Sequence, residues 1–340
     1  MDDLRVWDDL SDDFLPHADA VNTTALLIGN GASIAVDNNF NYPSLLESAA
    51  PSHLERSLFE MTASSNFETV LYWLVHARQV CQRLGLPTQV IDEQYSHIRD
   101  LLIRSVTAIH IDRHRFGPPA GLGDFLVRHK SIFSLNYDLL IYWTLAAHNC
   151  FSDRRVLDVF PGLVFDSNYT VPAQSSVLYY LHGALHLYLD QSYGCCKRRS
   201  VPDQGLLSQL GFDEDFKPPH FVCEGTYEEK KAFIRRSEYL NYAHKHLRMH
   251  DKDIVVFGFS MEPAHDQHII DSLRLHRANR RIAVSVFSEL NPEQKTDYMN
   301  TVMARLRVPA ESLLFYESES HPLSRGNRLV DLLFPNCDDD

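Results

Sequence analysis

Four short stretches carry the residue types best suited to chemistry: Gly29-Asn30-Gly31-Ala32-Ser33, Asn136-Tyr137-Asp138, His182-Gly183 and Gly258-Phe259-Ser260. The first and last are glycine-serine turns, where a backbone without Cβ atoms lets N–H groups approach a phosphate. The other two add a carboxamide, a carboxylate and an imidazole, a set able to position hydroxyls and to take a proton. The first stretch is no P-loop, since no Gly-Lys-Ser/Thr follows, and Ile34 stands where a dinucleotide fingerprint has its third glycine. Each stretch alone has a plainer reading as a tight turn, a helix cap at Asn136 or Asp138, or a core histidine.

The elements that precede these stretches give them a common meaning. Ala25–Ile28, Ile132–Leu135, Val177–Leu181 and Ile254–Phe257 are short apolar, β-branched or aromatic runs, which predicts buried strands. Ile282–Phe287 and Leu313–Tyr316 read the same way. Each polar stretch directly follows one of the first four. Helical spacing starts at Phe67, with Ser64, Ser65 and Asn66 as caps, and a Thr226/Glu229 capping box opens a helix through about His246. Strands alternating with helices predict an α/β fold with a mainly parallel sheet, and ligands of such sheets sit beyond the carboxyl ends of the strands. Residues 40–125 read as a helical insertion or subdomain, and 190–225, rich in Pro, Gly and charge, as a loop or lid. Both belong to one domain over 1–335, before an acidic tail at 336–340.

Composition excludes several classes. A net charge of -13 is wrong for a general nucleic-acid-coating surface. The acidic start "MDDLRVWDDLSDD" is not a signal peptide, and no apolar run approaches the roughly 18 residues of a membrane span, so a cytoplasmic protein away from membranes is expected. The six cysteines form no Cys-x-x-Cys pair, which excludes a zinc ribbon; Cys195-Cys196 reads as reduced thiols in a loop. His182/His186 and His265/His268 have the spacing of one helix face, but no third ligand is indicated and no metal is expected. Lys197-Arg198-Arg199 reads as a solvated loop, and Gly-x-Ser-x-Gly is absent. Asp266 in "HDQHI" fits either a cofactor cleft or a helix N-terminal acid.

In order along the chain, "GNGAS", "SLNYD", "LHG" and "FGFS" resemble the SIR2-like (sirtuin-like) NAD-binding superfamily, and "NFETVL" with "EGTYEEKKAFIRRSEYL…VVFGFSMEPAHDQHI" is similar to its DUF4917 bacterial branch. The resemblance spans roughly residues 25 to 290. It implies a Rossmann-like sheet binding NAD across its carboxyl edge. By position, Gly29, Asn30, Gly31, Ala32 and Ser33 would form the pyrophosphate loop, while Gly183 would accompany His182, and Gly258 and Ser260 would contact the adenosine side. Asn136 would match the active-site asparagine, His182 the general base, and Asp138 a ribose-contacting aspartate. Glu68 and Asp266 would face the cofactor, although a solvated or salt-bridged glutamate accounts equally well for Glu68. The missing zinc ribbon, and Asn30 where zinc-bearing deacetylases usually have alanine, shift the likeness toward zinc-free SIR2-like effectors of bacterial antiviral defence, which hydrolyse NAD.

The implied chemistry is consistent with the residues. The nicotinamide–ribose bond breaks through an oxocarbenium-like state, and nicotinamide departs neutral without a proton from an acid. A neutral carboxamide can hold ribose hydroxyls or water, and a histidine titrating near neutrality can take the proton. The leading expectation is an NAD glycohydrolase acting in antiphage defence, with NAD as substrate and no metal. Self-association, and a partner ATPase or other defence protein, follow from the resemblance alone. Two alternatives stand: an NAD or ADP-ribose sensor without turnover, and an NAD-dependent deacylase or ADP-ribosyltransferase.

Overall fold

The computed structural model describes residues 4–15, 23–111, 113, 116–190, 192, 194–199, 206, 219–222, 226–275 and 280–324. Helix α1 (Trp7–Phe14) precedes β1 (Ala25–Ile28), which hands directly to α2 (Gly31–Val36). A run of helices follows: α3 (Tyr42–Ser48), α4 (His53–Met61), α5 (Phe67–Arg83), α6 (Gln89–Ile109) and α7 (Leu122–Val127). Then come β2 (Ser131–Ser134), α8 (Leu140–Ala147), β3 (Val156–Leu157) and β4 (Ser176–Tyr180). Three further strands, β5 (Gly183–Leu189), β6 (Cys195–Lys197) and β7 (Pro219–Phe221), lead to α9 (Tyr227–Arg236) and α10 (Glu238–Met249). The chain closes with β8 (Ile254–Phe257), α11 (Pro263–Arg274), β9 (Ile282–Val286), α12 (Pro292–Leu306) and β10 (Leu313–Glu317).

Seven strands form one parallel sheet in the order β10-β9-β8-β1-β2-β4-β3. Every residue of β1 and β8 is buried, as expected of central strands covered by helices on both faces. The fold is therefore the expected α/β architecture, a mainly parallel sheet flanked by helices. Because all seven strands run the same way, their carboxyl ends share one edge. The six strands expected from the sequence are all present, shifted by at most one residue at either end.

The differences have local causes. After His182 the chain does not leave the sheet region as a loop. Gly183 turns at φ +77°, where an added Cβ would lie 2.1 Å from the His220 carbonyl oxygen, and β5 continues at once. With β6 and β7 it forms a second, antiparallel sheet in the order β6-β5-β7. The stretch 190–225, read as loop or lid, thus contributes two strands of three residues each, too short to show periodicity; residues 200–205 and 207–218 lie outside the described residues. Cys195 and Cys196 are free and buried on β6, and burial pushes the Cys195 thiol up. Lys197 pairs with Asp158, and the Arg198 guanidinium stacks 5.0 Å from the Tyr188 ring, so this basic stretch is not a solvated loop. The helix expected over 226–246 is broken at Ser237, whose side chain caps α10. Its start is as expected, with Thr226 accepting from the Glu229 N–H. Asn66 caps α5 in the same way, through the N–H of Glu68.

Two apolar cores result. One fills the space around the parallel sheet; the other joins α3, α5 and α6 to Trp143 of α8 and Leu185 and Phe221 of the second sheet. Among the described residues no helix is long and apolar enough to cross a membrane. The acidic tail and Cys337 lie outside the described residues.

Candidate functional site

A cavity of about 1310 Å³ lies beyond the carboxyl edge of the parallel sheet, between the two cores. Gly29, Asn30 and Gly31 after β1, Asn136 and Asp138 after β2, His182 after β4, and Gly258 and Ser260 after β8 all line it. So do Glu68 from the first turn of α5 and Asp266 from the start of α11. Ala32, Ser33 and Gly183 do not line it: Ala32 and Ser33, in the first turn of α2, line a separate small pocket with Leu122 and Ile141, and Gly183 packs against β7.

The glycines have a reason that the sequence did not reveal. Gly31 N–H donates to the Gly258 carbonyl at 2.9 Å, and Gly29 N–H donates to that of Phe257 at 2.8 Å. A Cβ on Gly29 would sit 2.4 Å from the Gly258 oxygen, and one on Gly258, at φ +64°, would sit 2.7 Å from the Gly31 Cα. The two loops are stitched together main chain to main chain. The amides of Ala32 and Ser33 are likewise engaged, by the carbonyls of Gly29 and Asn30. These glycines therefore allow two loops to meet, and their N–H groups are not an array turned to a phosphate.

Beside this seam lies a buried network. The Ser33 hydroxyl donates to Asp138 Oδ2 at 2.5 Å, so it must accept from Asn136 Nδ2, which lies 2.7 Å away. This fixes the orientation of the carboxamide: Asn136 Oδ1 is the atom left over, and it is buried with no partner. Asp138 Oδ1 accepts from the Leu140 N–H, and His110 Nε2 accepts from that of Leu139. Asp138 is thus primarily a brace and a helix-start acceptor. A buried acceptor without a donor costs about 1–3 kcal/mol, so the unmet acceptor at Asn136 is a place for a hydroxyl or water.

The other wall is a cluster of charges. Lys230, wholly buried on α9, lies 3.0 Å from Glu68 Oε2 and 3.7 Å from Asp266 Oδ1. Tyr137 donates to Glu68 Oε1 at 2.9 Å, and His265 Nδ1 is 3.7 Å from Oε2. Burial alone would raise the Glu68 pKa, but Lys230, His265 and the hydrogen bonds from Lys230 and Tyr137 hold it below the usual value. Asp266 goes the other way: burial, aided by the Glu68 charge, outweighs Lys230 and raises its pKa to about 6. His182 Nε2 faces His268 Nε2 at 2.9 Å and Asp266 Oδ1 at 3.8 Å. Burial, followed by Lys230, His268 and His244, pushes its pKa well below the usual value. It is held well below the near-neutral range expected of it, while Asp266 is raised toward that range.

His186 does not share a helix face with His182; it sits on β5 with its ring against Tyr142 and Tyr180. His268 takes its place from across the fold. His182, Asp266 and His268 each bring a metal-ligand type of atom within 4.8 Å of the others, a grouping that spacing could not reveal because it joins distant segments. The Lys230 ammonium already serves Asp266 Oδ1 and competes there with any cation. Lys230 was missed in the sequence, and Tyr137 and His268, though named there in the Asn136-Tyr137-Asp138 stretch and the His265/His268 pair, were given no part in this cluster. Lys230 is one lysine of a charged amphipathic helix, and only the tertiary structure shows that it points inward.

Residues 26–323 match the family model described as Domain of unknown function (DUF4917), and the chain belongs to that family. No curated protein matches it. It is similar to a solved structure reported as "Structural Basis for the Mechanism and Regulation of Sir2 Enzymes", with 10% identity, a TM-score of 0.35, and coverage of 92% of this chain and 93% of that one.

Proposed function

We propose that this DUF4917 member binds NAD along the carboxyl edge of its sheet and hydrolyses the nicotinamide–ribose bond, giving nicotinamide and ADP-ribose. The observation that carries the reading is Asn136: a buried carboxamide, oriented by Ser33, with an unpartnered oxygen among the groups lining a cavity of dinucleotide size. In the reaction the C1′–N bond breaks and its electron pair returns to the nicotinamide ring, which leaves neutral. A water oxygen bonds C1′ and releases a proton. Asn136 Oδ1 would accept a hydrogen bond from that water or from a ribose hydroxyl. The proton would pass to the His182–Asp266 pair, in which Asp266 has the pKa suited to receive it at neutral pH. Glu68 and Asp266, both on the cavity wall, would offset the positive charge of the nicotinamide ring and then of the ribose.

The pyrophosphate would lie over the Gly29–Gly31 and Gly258 seam, which lines the cavity. Since several of those amides are already engaged, anchorage would come mainly from the ribose hydroxyls on either side. The defence role, self-association and a partner protein remain parts of this proposal that rest on the motif resemblance.

One observation favours binding without turnover. Protonation of His182 is costly in its buried setting, which opposes its service as a proton acceptor and suits a sensor. Incubating the purified chain with NAD and identifying products by mass spectrometry separates the two. Nicotinamide release that is lost in Asn136→Ala supports hydrolysis; release undiminished in both Asn136→Ala and His182→Ala overturns the residue assignment. Tight binding of intact NAD without products selects the sensor.

A further inference from the structure

His182, Asp266 and His268 meet at one corner of the cavity, and their meeting needs a local departure from helix geometry. Side chains two residues apart on a regular helix do not face each other. Asp266 breaks the start of α11 at φ -124° and ψ 24°, and its carboxylate and the His268 ring reach the same point. His182 arrives from the end of β4, with its Nε2 2.9 Å from His268 Nε2, and both rings are buried. Asp266 Oδ1 is buried without a hydrogen-bond partner; Lys230 Nζ and His182 Nε2 stand off at 3.7 and 3.8 Å. The Lys230 ammonium lies nearer to Glu68, at 3.0 Å, than to Asp266, so a cation at Asp266 leaves Lys230 its partner. His244 stays outside the set, its Nε2 being 2.8 Å from the Leu181 carbonyl.

We propose that His182 Nε2, His268 Nε2 and Asp266 Oδ1 form a binding site for Zn²⁺, and that the bound ion holds the cleft inactive. The second part rests on the hydrolysis reading above. Two imidazoles and a carboxylate suit Zn²⁺, whereas Mg²⁺ and Ca²⁺ take oxygen ligands. Tetrahedral zinc bonds of about 2.0–2.1 Å set ligand atoms roughly 3.3 Å apart. The 2.9 and 3.8 Å separations reach that spacing with shifts of about 0.5 Å. Both rings bind as neutral imidazoles: the proton between the two Nε2 atoms moves to Nδ1 of its ring, and both Nε2 lone pairs go to the ion. His182 and Asp266 line the cavity, so the ion's remaining position opens toward it. The ion then occupies the two acceptors to which the water's proton would pass. Competition from Lys230 keeps the site weaker than a structural zinc site, as reversible control requires.

The test uses the purified full chain, stripped by a chelator and titrated with Co²⁺, a visible reporter of zinc sites. The expected result is a single ion with ligand-field bands and no thiolate charge-transfer band, displaced by Zn²⁺ and not by Mg²⁺. His268→Ala and Asp266→Asn should each weaken binding by about tenfold or more, with circular dichroism confirming that both are folded. Thiolate bands, or an affinity unchanged in either variant, overturn the site. Nicotinamide release should fall with Zn²⁺ occupancy and return on chelation. Release unchanged or raised by Zn²⁺ overturns the inhibition and leaves the site standing. A chain that takes the ion yet cleaves NAD under no condition overturns the hydrolysis reading, and the inhibition with it.

Discussion

Asn136 Nδ2 donates to the Ser33 hydroxyl at 2.7 Å across 103 residues of sequence, and this one bond determines which atom of the carboxamide is left for a ligand. Ser33→Ala removes both that acceptor and the donor to Asp138. A stability loss of roughly 1–3 kcal/mol is expected from the unpaired groups. Because the carboxamide is then free to flip, NAD cleavage should fall by more than NAD affinity does. Chemical denaturation with kinetics on the same preparation checks this; a variant with normal kcat shows that Ser33 does not orient Asn136.

On the proposed reading, Asp266 should set an acid limit on activity. Its pKa is raised to about 6, so it loses proton-accepting capacity as pH falls through that value. Nicotinamide release should therefore decline below about pH 6, and Asp266→Asn should leave a low rate without that limb. A wild-type profile flat from pH 5 to 7, roughly, would falsify the assignment.

Stability should fall in acid for a separate reason. Burial lowers His129, His220 and His244 to about 4 from 6.5. The unfolded chain then binds more protons than the folded one below pH 6.5, so the contribution of these histidines is full above that pH and drains away toward pH 4. Each fully buried ring is worth on the order of 3 kcal/mol over that window. Urea melts at stepped pH read this directly, and His129→Phe should flatten the slope.

Lys230 holds two carboxylates that the fold buries. Lys230→Met should cost about 3–5 kcal/mol, since it strands charge without a partner. Adding Glu68→Gln to it should recover part of the loss, because the surplus charge is removed. A double-mutant cycle in thermal unfolding measures that coupling, and additive losses would argue against the pairing.

Gly29→Ala should fail sterically rather than chemically. Its Cβ meets the Gly258 carbonyl at 2.4 Å, and main chain cannot step aside as a side-chain tip can. Loss of stability of roughly 2–4 kcal/mol is expected, with NAD affinity falling as a consequence. Normal stability with weakened binding would instead assign the glycine to the ligand.

Six of the seven strands of the parallel sheet were legible because they are short apolar runs, four of them ended by an abrupt change to Gly, Asn or His. Asn136 and His182 were legible as polar residues at those ends, and the structure places both on the cavity wall. Ser33 was found for the wrong reason: it lies behind the wall and orients what lies on it. The second sheet was not legible because Cys195–Lys197 and Pro219–Phe221 are too brief to carry a period. Lys230, and the pairing of His268 with His182, were hidden because burial and contact of polar side chains are properties of distant segments meeting. The pKa of His182 was misjudged for the same reason, since burial, followed by Lys230 and His268, lowers it.

The main-chain seam between Gly31 and Gly258 has a genetic consequence. A damaged core residue is often rescued by shrinking or reshaping its neighbour. At this seam the neighbour of each glycine is backbone, so neither partner has a side chain to trim. Suppressor selections starting from a substituted Gly29 or Gly258 should yield true revertants or shifts of whole loops, and no compensating exchange between the two positions.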